Sequence, residues 1–188
     1  MFKIKKENNW NISNYFLSLK LSQIVSFLLL PLYTYVLSTS DYGTVDLFIT
    51  YIGLLVPLIT LQLESAVFRF LIDERENSEG KKRIISNVSI TTIILLMIGL
   101  IIYIPIVVLF NFKYKTYVLI CIVTTIFSNI LLQMARGLGD NTKYSIACVI
   151  TGISNIIFNL LFLLVFKTGA SGVLLASSIS NLLCSIYI

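Results

Sequence analysis

Apolar residues in this chain are massed into six long runs separated by short polar stretches. The runs extend over Tyr15–Leu37, Phe48–Ile72, Ile84–Phe110, Thr116–Leu138, Tyr144–Phe166 and Val173–Ile188. About 20 apolar residues, each rising 1.5 Å, cross the roughly 30 Å of bilayer hydrocarbon. Open backbone cannot sit in lipid, so runs of this length predict membrane-spanning helices joined as hairpins. The sixth run has 16 residues and is cut rather than concluded, which leads us to expect the first part of something longer. The first run is too long for a signal-peptide core of about 7–15 residues and has no small-x-small site before Asp41, so it reads as a retained helix.

Composition agrees. Hydrophobic residues make up 57% and charged residues 12%, against roughly 45–50% and 25% in soluble domains. Mean hydropathy is +0.91. The fold class expected is all-α: a polytopic membrane protein forming one six-helix bundle over residues 1–188. Histidine is absent, which removes His-based triads, bases and metal ligands. Cys121, Cys148 and Cys184 lie inside apolar runs without C-x-x-C spacing and read as small buried hydrophobes. No Walker sequence, G-x-G-x-x-G or D-x-D pair occurs, so neither an enzyme nor a cofactor is expected.

The net charge of +5 would suggest nucleic acid in a soluble protein, but the loops account for it. Ten basic residues fall on one side: Lys3, Lys5, Lys6, Arg69, Arg75, Lys81, Lys82, Arg83, Arg136 and Lys143. Three, Lys113, Lys115 and Lys167, fall on the other, and Lys20 lies inside the first run. This bias predicts a cytoplasmic N-terminus, with no call for a nucleic-acid partner. Trp10, Tyr15, Tyr42, Tyr114, Tyr117 and Tyr144 flank the runs as an interfacial belt. The mixed-charge segment Asp73–Arg83 reads as a solvated cytoplasmic loop.

Polar residues interrupt the runs. Lys20 and Gln23 sit in the first, and Gln62, Glu64, Ser65 and Arg69 in the second. An ionised side chain deep in a helix costs roughly 2.5–3.5 kcal/mol on insertion scales and usually faces a cavity or a partner. From the helical rise, Lys20 lies about 7 Å and Glu64 about 12 Å from the cytoplasmic ends of their helices. A Lys20–Glu64 pair is therefore one reading, and a Lys20 that snorkels to the headgroups is the other.

The last three runs carry stripes at helical spacing: Thr125, Asn129, Gln133 and Arg136; Thr151, Asn155 and Asn159; Ser177, Asn181 and Ser185. Each stripe alone reads as interhelical hydrogen-bonding. Together with the charges they suggest a hydrated internal cleft. If Lys20, Arg69 and Arg136 face inward, the cleft mouth suits an anionic, phosphorylated ligand. Pro31, Pro57 and Pro105 lie inside runs and can kink them.

Four segments carry a resemblance. They are QIVSFLLLPLYTYVLSTSDYGTVDLFITY (Gln23–Tyr51), LQLESAVFRF (Leu61–Phe70), MARGLGDNTKY (Met134–Tyr144) and GASGVLLASSISNLL (Gly169–Leu183). In this order they resemble the first half of bacterial polysaccharide flippases of the O-antigen and capsule type. These belong to the multidrug/oligosaccharidyl-lipid/polysaccharide exporter superfamily. The resemblance implies one bundle of an exporter with twelve or more helices, in which two parallel repeats surround a central cavity. It implies movement of an undecaprenyl-diphosphate-linked oligosaccharide across the bacterial cytoplasmic membrane, with H+ or Na+ as coupling ion.

Carried onto this sequence, the implied cavity residues are Lys20, Gln23, Glu64, Arg69, Asn129, Gln133, Arg136, Asn155, Asn159 and Asn181. The implied partners are the lipid-linked oligosaccharide, membrane lipids, and a C-terminal half or a second copy. Two alternatives remain open: a multidrug antiporter for organic cations in the same superfamily, and a non-functional fragment. The basic intramembrane balance disfavours the antiporter. A glycan polymerase or ligase would want large outer loops, and here those loops are small.

Overall fold

The computed structural model describes residues 24–25, 27–110 and 113–188. Among the described residues the architecture is helical throughout. The elements are α1 (Phe27–Val36), α2 (Thr39–Thr60), α3 (Leu63–Asp73), α4 (Ser78–Phe110), α5 (Lys115–Gly137), α6 (Asn141–Leu160) and α7 (Ala170–Tyr187). A π-helical turn, Leu161–Val165, extends α6. Five helices are long and apolar enough to cross a membrane, and α1 is a shorter apolar helix. The chain is an all-α, polytopic membrane bundle, as the run pattern predicts.

Several helices begin earlier than their apolar runs, because polar caps rather than hydropathy decide the starts. Ser38 caps α2: its Oγ accepts the Asp41 N–H at 3.1 Å and donates to the Asp41 carboxylate at 2.9 Å. Asn77 accepts the Gly80 N–H at 3.1 Å, and Asp140 accepts the Lys143 N–H at 3.0 Å. Each side chain satisfies a backbone donor that the first turn leaves open. The connection between α1 and α2 therefore shrinks to Leu37 and Ser38, and the basic Lys81–Arg83 segment is helical rather than loop.

α5 and α7 form the centre. Half of the α5 span and 44% of the α7 span are buried, against 22% or less for α2, α4 and α6. One apolar cluster joins Ile52, Val56, Val67, Leu71, Val88, Ile122, Ile126, Ile130 and Leu174. A second joins Leu37, Val45, Leu163, Ala170 and Val173. The closest helix approach is at Gly137, where an added Cβ would lie 2.8 Å from Leu71 Cβ and 3.3 Å from the Phe68 carbonyl. With little hydrophobic drive between helices in lipid, such close packing carries the association.

Contacts between connections sort the two ends of the bundle. Gly169 lies beside the Asp41 carboxylate, with an added Cβ 3.6 Å from Oδ2, and Tyr114 packs edge-on against Phe48 at 5.8 Å. At the opposite end an added Cβ on Gly139 would meet the Arg75 guanidinium at 2.7 Å. The Asp41 end therefore carries Lys113 and Lys167, and the Arg75 end carries the dense basic set. For the described residues this matches the partition drawn from the charges; Lys3, Lys5 and Lys6 lie outside them.

The second run differs from its reading as one continuous span over 48–72. It is cut at Leu61 and Gln62, both left-handed, with φ 50° and 61°. Pro57, one turn earlier, has no N–H to donate and crowds the preceding turn. The Leu61 and Gln62 N–H groups both turn back to the Pro57 carbonyl, the latter at 3.2 Å. Two non-glycine residues in this region store on the order of 1–3 kcal/mol each.

Gly137→Ala should lower stability by about 1–3 kcal/mol through overpacking against α3. Gly43→Ala, where nothing lies within 4 Å, should be neutral or slightly stabilising. Thermal unfolding of both variants in detergent checks this contrast.

Candidate functional site

The three polar stripes lie at half-buried or buried positions, and each contributes to a contact between helices. Asn181 Nδ2 on α7 donates to Thr125 Oγ1 on α5 at 2.9 Å. Asn159 on α6 is fully buried, accepts the Tyr33 hydroxyl of α1 at 3.0 Å, and donates to the Asn155 carbonyl at 2.8 Å. Asn159 lies next to the π-helical turn, which also presents Leu163 to the core. Tyr33 was missed in the sequence; its signal is a phenol inside an apolar run, where a buried hydroxyl needs a partner.

The expected cavity residues that are described meet different neighbours. Arg136 lies over the Phe68 ring at 4.3 Å and 6.0 Å from the Tyr144 ring centre, so it joins α5 to α3 and α6. Asn129 and Gln133 are half-buried on α5. The Gln133 Oε1 atom is buried without a hydrogen-bond partner, an arrangement that invites a water or a bound group. Glu64 is half-buried in the first turn of α3, where it accepts the Thr60 hydroxyl at 2.7 Å and ties together the two sides of the helix break. Arg69 is exposed on α3. Lys20 and Gln23, and with them the Lys20–Glu64 pair, lie outside the described residues.

A half-open recess of about 20 Å³ between α2, α4 and α5 is lined by apolar groups, among them Ile59, Leu96 and Ile122. It has room for about one water but no polar lining to hold it.

On the second membrane helix, exposed polar residues stand beside exposed apolar ones such as Leu54 and Leu58. Tyr114 packs on Phe48, and Gly137 packs on Leu71, so the length of α5 matches the stretch from Phe48 to Leu71. On this scale Leu61 sits about 20 Å below Phe48 and some 15 Å from the Leu71 level, inside the apolar layer. Leu61 is 74% exposed, and Gln62, Ser65 and Arg69 share one exposed face of α3. Thr50 and Gly53 are exposed above the break.

The lipid-facing surfaces look different. From Ile93 onward the exposed positions of α4 are Ile93, Ile94, Met97, Ile98, Ile101, Ile102 and Ile104, together with Pro105. Unpaired backbone at membrane depth is tolerated where it lines water or is covered by protein, and not against acyl chains.

The model of the family described as polysaccharide biosynthesis protein matches residues 10–188. The chain belongs to this family. Neither curated proteins nor solved structures gave a match. The family's proteins are transporters of the flippase kind rather than enzymes, which gives the chain a polysaccharide-related export role and a multi-pass membrane setting. Within that role the helix-2 face is the candidate contact surface of this bundle, and the stripes on α5, α6 and α7 serve its interior.

In a background with the three native cysteines replaced by alanine, Gln62→Cys and Ser65→Cys should react with a membrane-impermeant thiol reagent. Ile94→Cys and Ile153→Cys, on the apolar faces of α4 and α6, should not. Labelling of the second pair alone would reject the assignment of faces. A second check concerns the interior: Tyr33→Phe, which strips Asn159 of its donor, should lower stability by about 0.5–2 kcal/mol in detergent unfolding.

Proposed function

We propose that the protein takes part in moving an undecaprenyl-diphosphate-linked oligosaccharide from the cytoplasmic to the outer face of the bacterial cytoplasmic membrane. It does so as one bundle of an exporter, completed by a C-terminal half or by a second copy. The observation that carries this reading is the exposed break at Leu61–Gln62, with Gln62, Ser65 and Arg69 on the same side, in a chain of an export family. Amide and hydroxyl groups at membrane depth suit sugar hydroxyls. A guanidinium at the inner end suits a diphosphate, which it can bind through paired hydrogen bonds.

In this reading the Arg75 end faces the cytoplasm, consistent with its basic residues, and the N-terminus lies on the same side. Lys20 adds a second cation at the mouth of the pathway. Glu64, held against Thr60 beside the break, is placed to exchange H+ or to meet Na+ as the coupling ion. Gln23, Asn129 and Gln133 supply neutral polar contacts, with the orphaned Gln133 oxygen the first of them to take a donor. Asn155, Asn159 and Asn181 hold the bundle that presents this wall.

The test is complementation of an exporter-deficient strain by the gene in its full reading frame. Restored surface glycan is the expected outcome. Arg69→Ala and Lys20→Ala should each reduce export by about tenfold, the effect of losing one charge-assisted contact, at unchanged membrane abundance. Normal export in both variants would discard the cation-binding roles. Resistance to organic cations without glycan export would assign the chain to the antiporter class instead.

A further inference from the structure

The break in the second membrane helix has properties that a fixed break does not need. A permanent left-handed turn is normally made with glycine, which adopts positive φ without steric cost. Here the two positions are leucine and glutamine, both good helix formers. Their side chains prefer the right-handed conformation, so the local sequence favours a continuous helix where the structure holds a bend.

The hydrogen bonding around the break is also irregular. The Pro57 carbonyl accepts from both Leu61 and Gln62, and the Gln62 carbonyl accepts from both Ser65 at 3.0 Å and Ala66 at 3.3 Å. The ladder is out of register here: the Gln62 N–H reaches five residues back and the Ser65 N–H three. Gln62 caps α3 with no side-chain bond to its N–H groups. Turning Leu61 and Gln62 into the right-handed region would return these groups to a regular ladder. The bent form thus carries backbone strain and an irregular ladder, whereas the straight form has a regular ladder but must realign two packed segments.

The far end of α2 sits in a different apolar cluster from α3, while Ile52 and Val56 nearer the break share the cluster of α3. Val45 of α2 belongs to the cluster with Leu37, Leu163 and Val173. Val67 and Leu71 of α3 are fully buried, with Leu71 against Gly137 of α5. Across the break the described side-chain bonds are Thr60 to Glu64 and, just beyond it, Ser65 to Gln62. Both are between neighbours in sequence and allow rotation of one segment against the other.

We propose that Leu61–Gln62 is a working hinge, at which the second membrane helix alternates between the bent form and a continuous helix, so that α2 and α3 move as two levers. The proposal gives the export reading a moving part but does not depend on it, because the hinge is measured without any transport substrate.

The experiment places spin labels at Thr50→Cys and Phe70→Cys, both exposed, in the chain with native cysteines replaced by alanine and reconstituted in lipid nanodiscs. Pulsed dipolar spectroscopy reads the distance between them. A continuous helix puts these Cα atoms about 30 Å apart, and the bend shortens the separation. The unsubstituted hinge should give two populations. Leu61→Gly with Gln62→Gly should leave the shorter distance alone, and Pro57→Ala with Leu61→Ala and Gln62→Ala should shift the population to the longer one. A single narrow distance shared by all three chains would overturn the hinge. The unsubstituted chain is decisive even if a variant fails to insert: one narrow distance there means a static helix.

Discussion

Every backbone N–H and C=O placed in hydrocarbon must find a partner, and most of this structure follows from that constraint. It turns six apolar runs into helices and makes the caps at Ser38, Asn77 and Asp140 worth keeping at the edges of the layer. It also makes the helix break at Leu61–Gln62 informative. Elsewhere the bundle meets lipid with closed helices clothed in isoleucine and leucine. At this point the helix is broken beside the exposed Gln62 and Ser65, with Leu54, Leu58 and Leu61 exposed next to them.

The interior shows how polar residues are used when no water competes. Asn181 with Thr125 and Tyr33 with Asn159 each join two helices through one or two bonds. Their measured counterparts in membranes average well below 2 kcal/mol, so they specify register more than they supply stability. Stability rests on close approach, as at Gly137 against Leu71 and Phe68. Arg136 belongs to the same fabric, because its guanidinium is spread over the Phe68 ring. A cation lying on an aromatic face gains roughly 0.5–2 kcal/mol and is held in place, which makes it a weaker candidate for capturing ligand than the exposed Arg69.

This division of labour shapes the functional reading. Residues that face inward build a rigid core from α5 and α7, while the second helix exposes polar residues beside its break. An export pathway between two bundles needs both: a wall that stays in register and a face that can hydrate a sugar. Glu64 lies at the junction of the two, half-buried and bonded to Thr60 across the break.

The sequence by itself determined the class and the number of runs, because each depends on sums over many residues, such as hydropathy over twenty positions. It also picked out Glu64, Arg69, Asn159 and Asn181 as unusual, since a polar group in an apolar run is visible without coordinates. The helix starts were legible in part, as Ser-x-x-Asp at Ser38 and Asp41 is a capping pattern that hydropathy alone overlooks. Tertiary structure decided direction. Three stripes of similar spacing look equally fit to line a cleft, but each closes on a neighbour: Asn159 meets Tyr33, and the helix rotation that buries Ile126 and Leu174 turns Thr125 and Asn181 toward each other. Periodicity shows that residues share a face but not what that face meets. Likewise Pro57 announced a possible kink, but the left-handed turn fell at Leu61 and Gln62, which individually favour helix. Packing on either side of the break, with Val56 and Thr60 buried before it and Val67 and Leu71 after it, overrides that local preference.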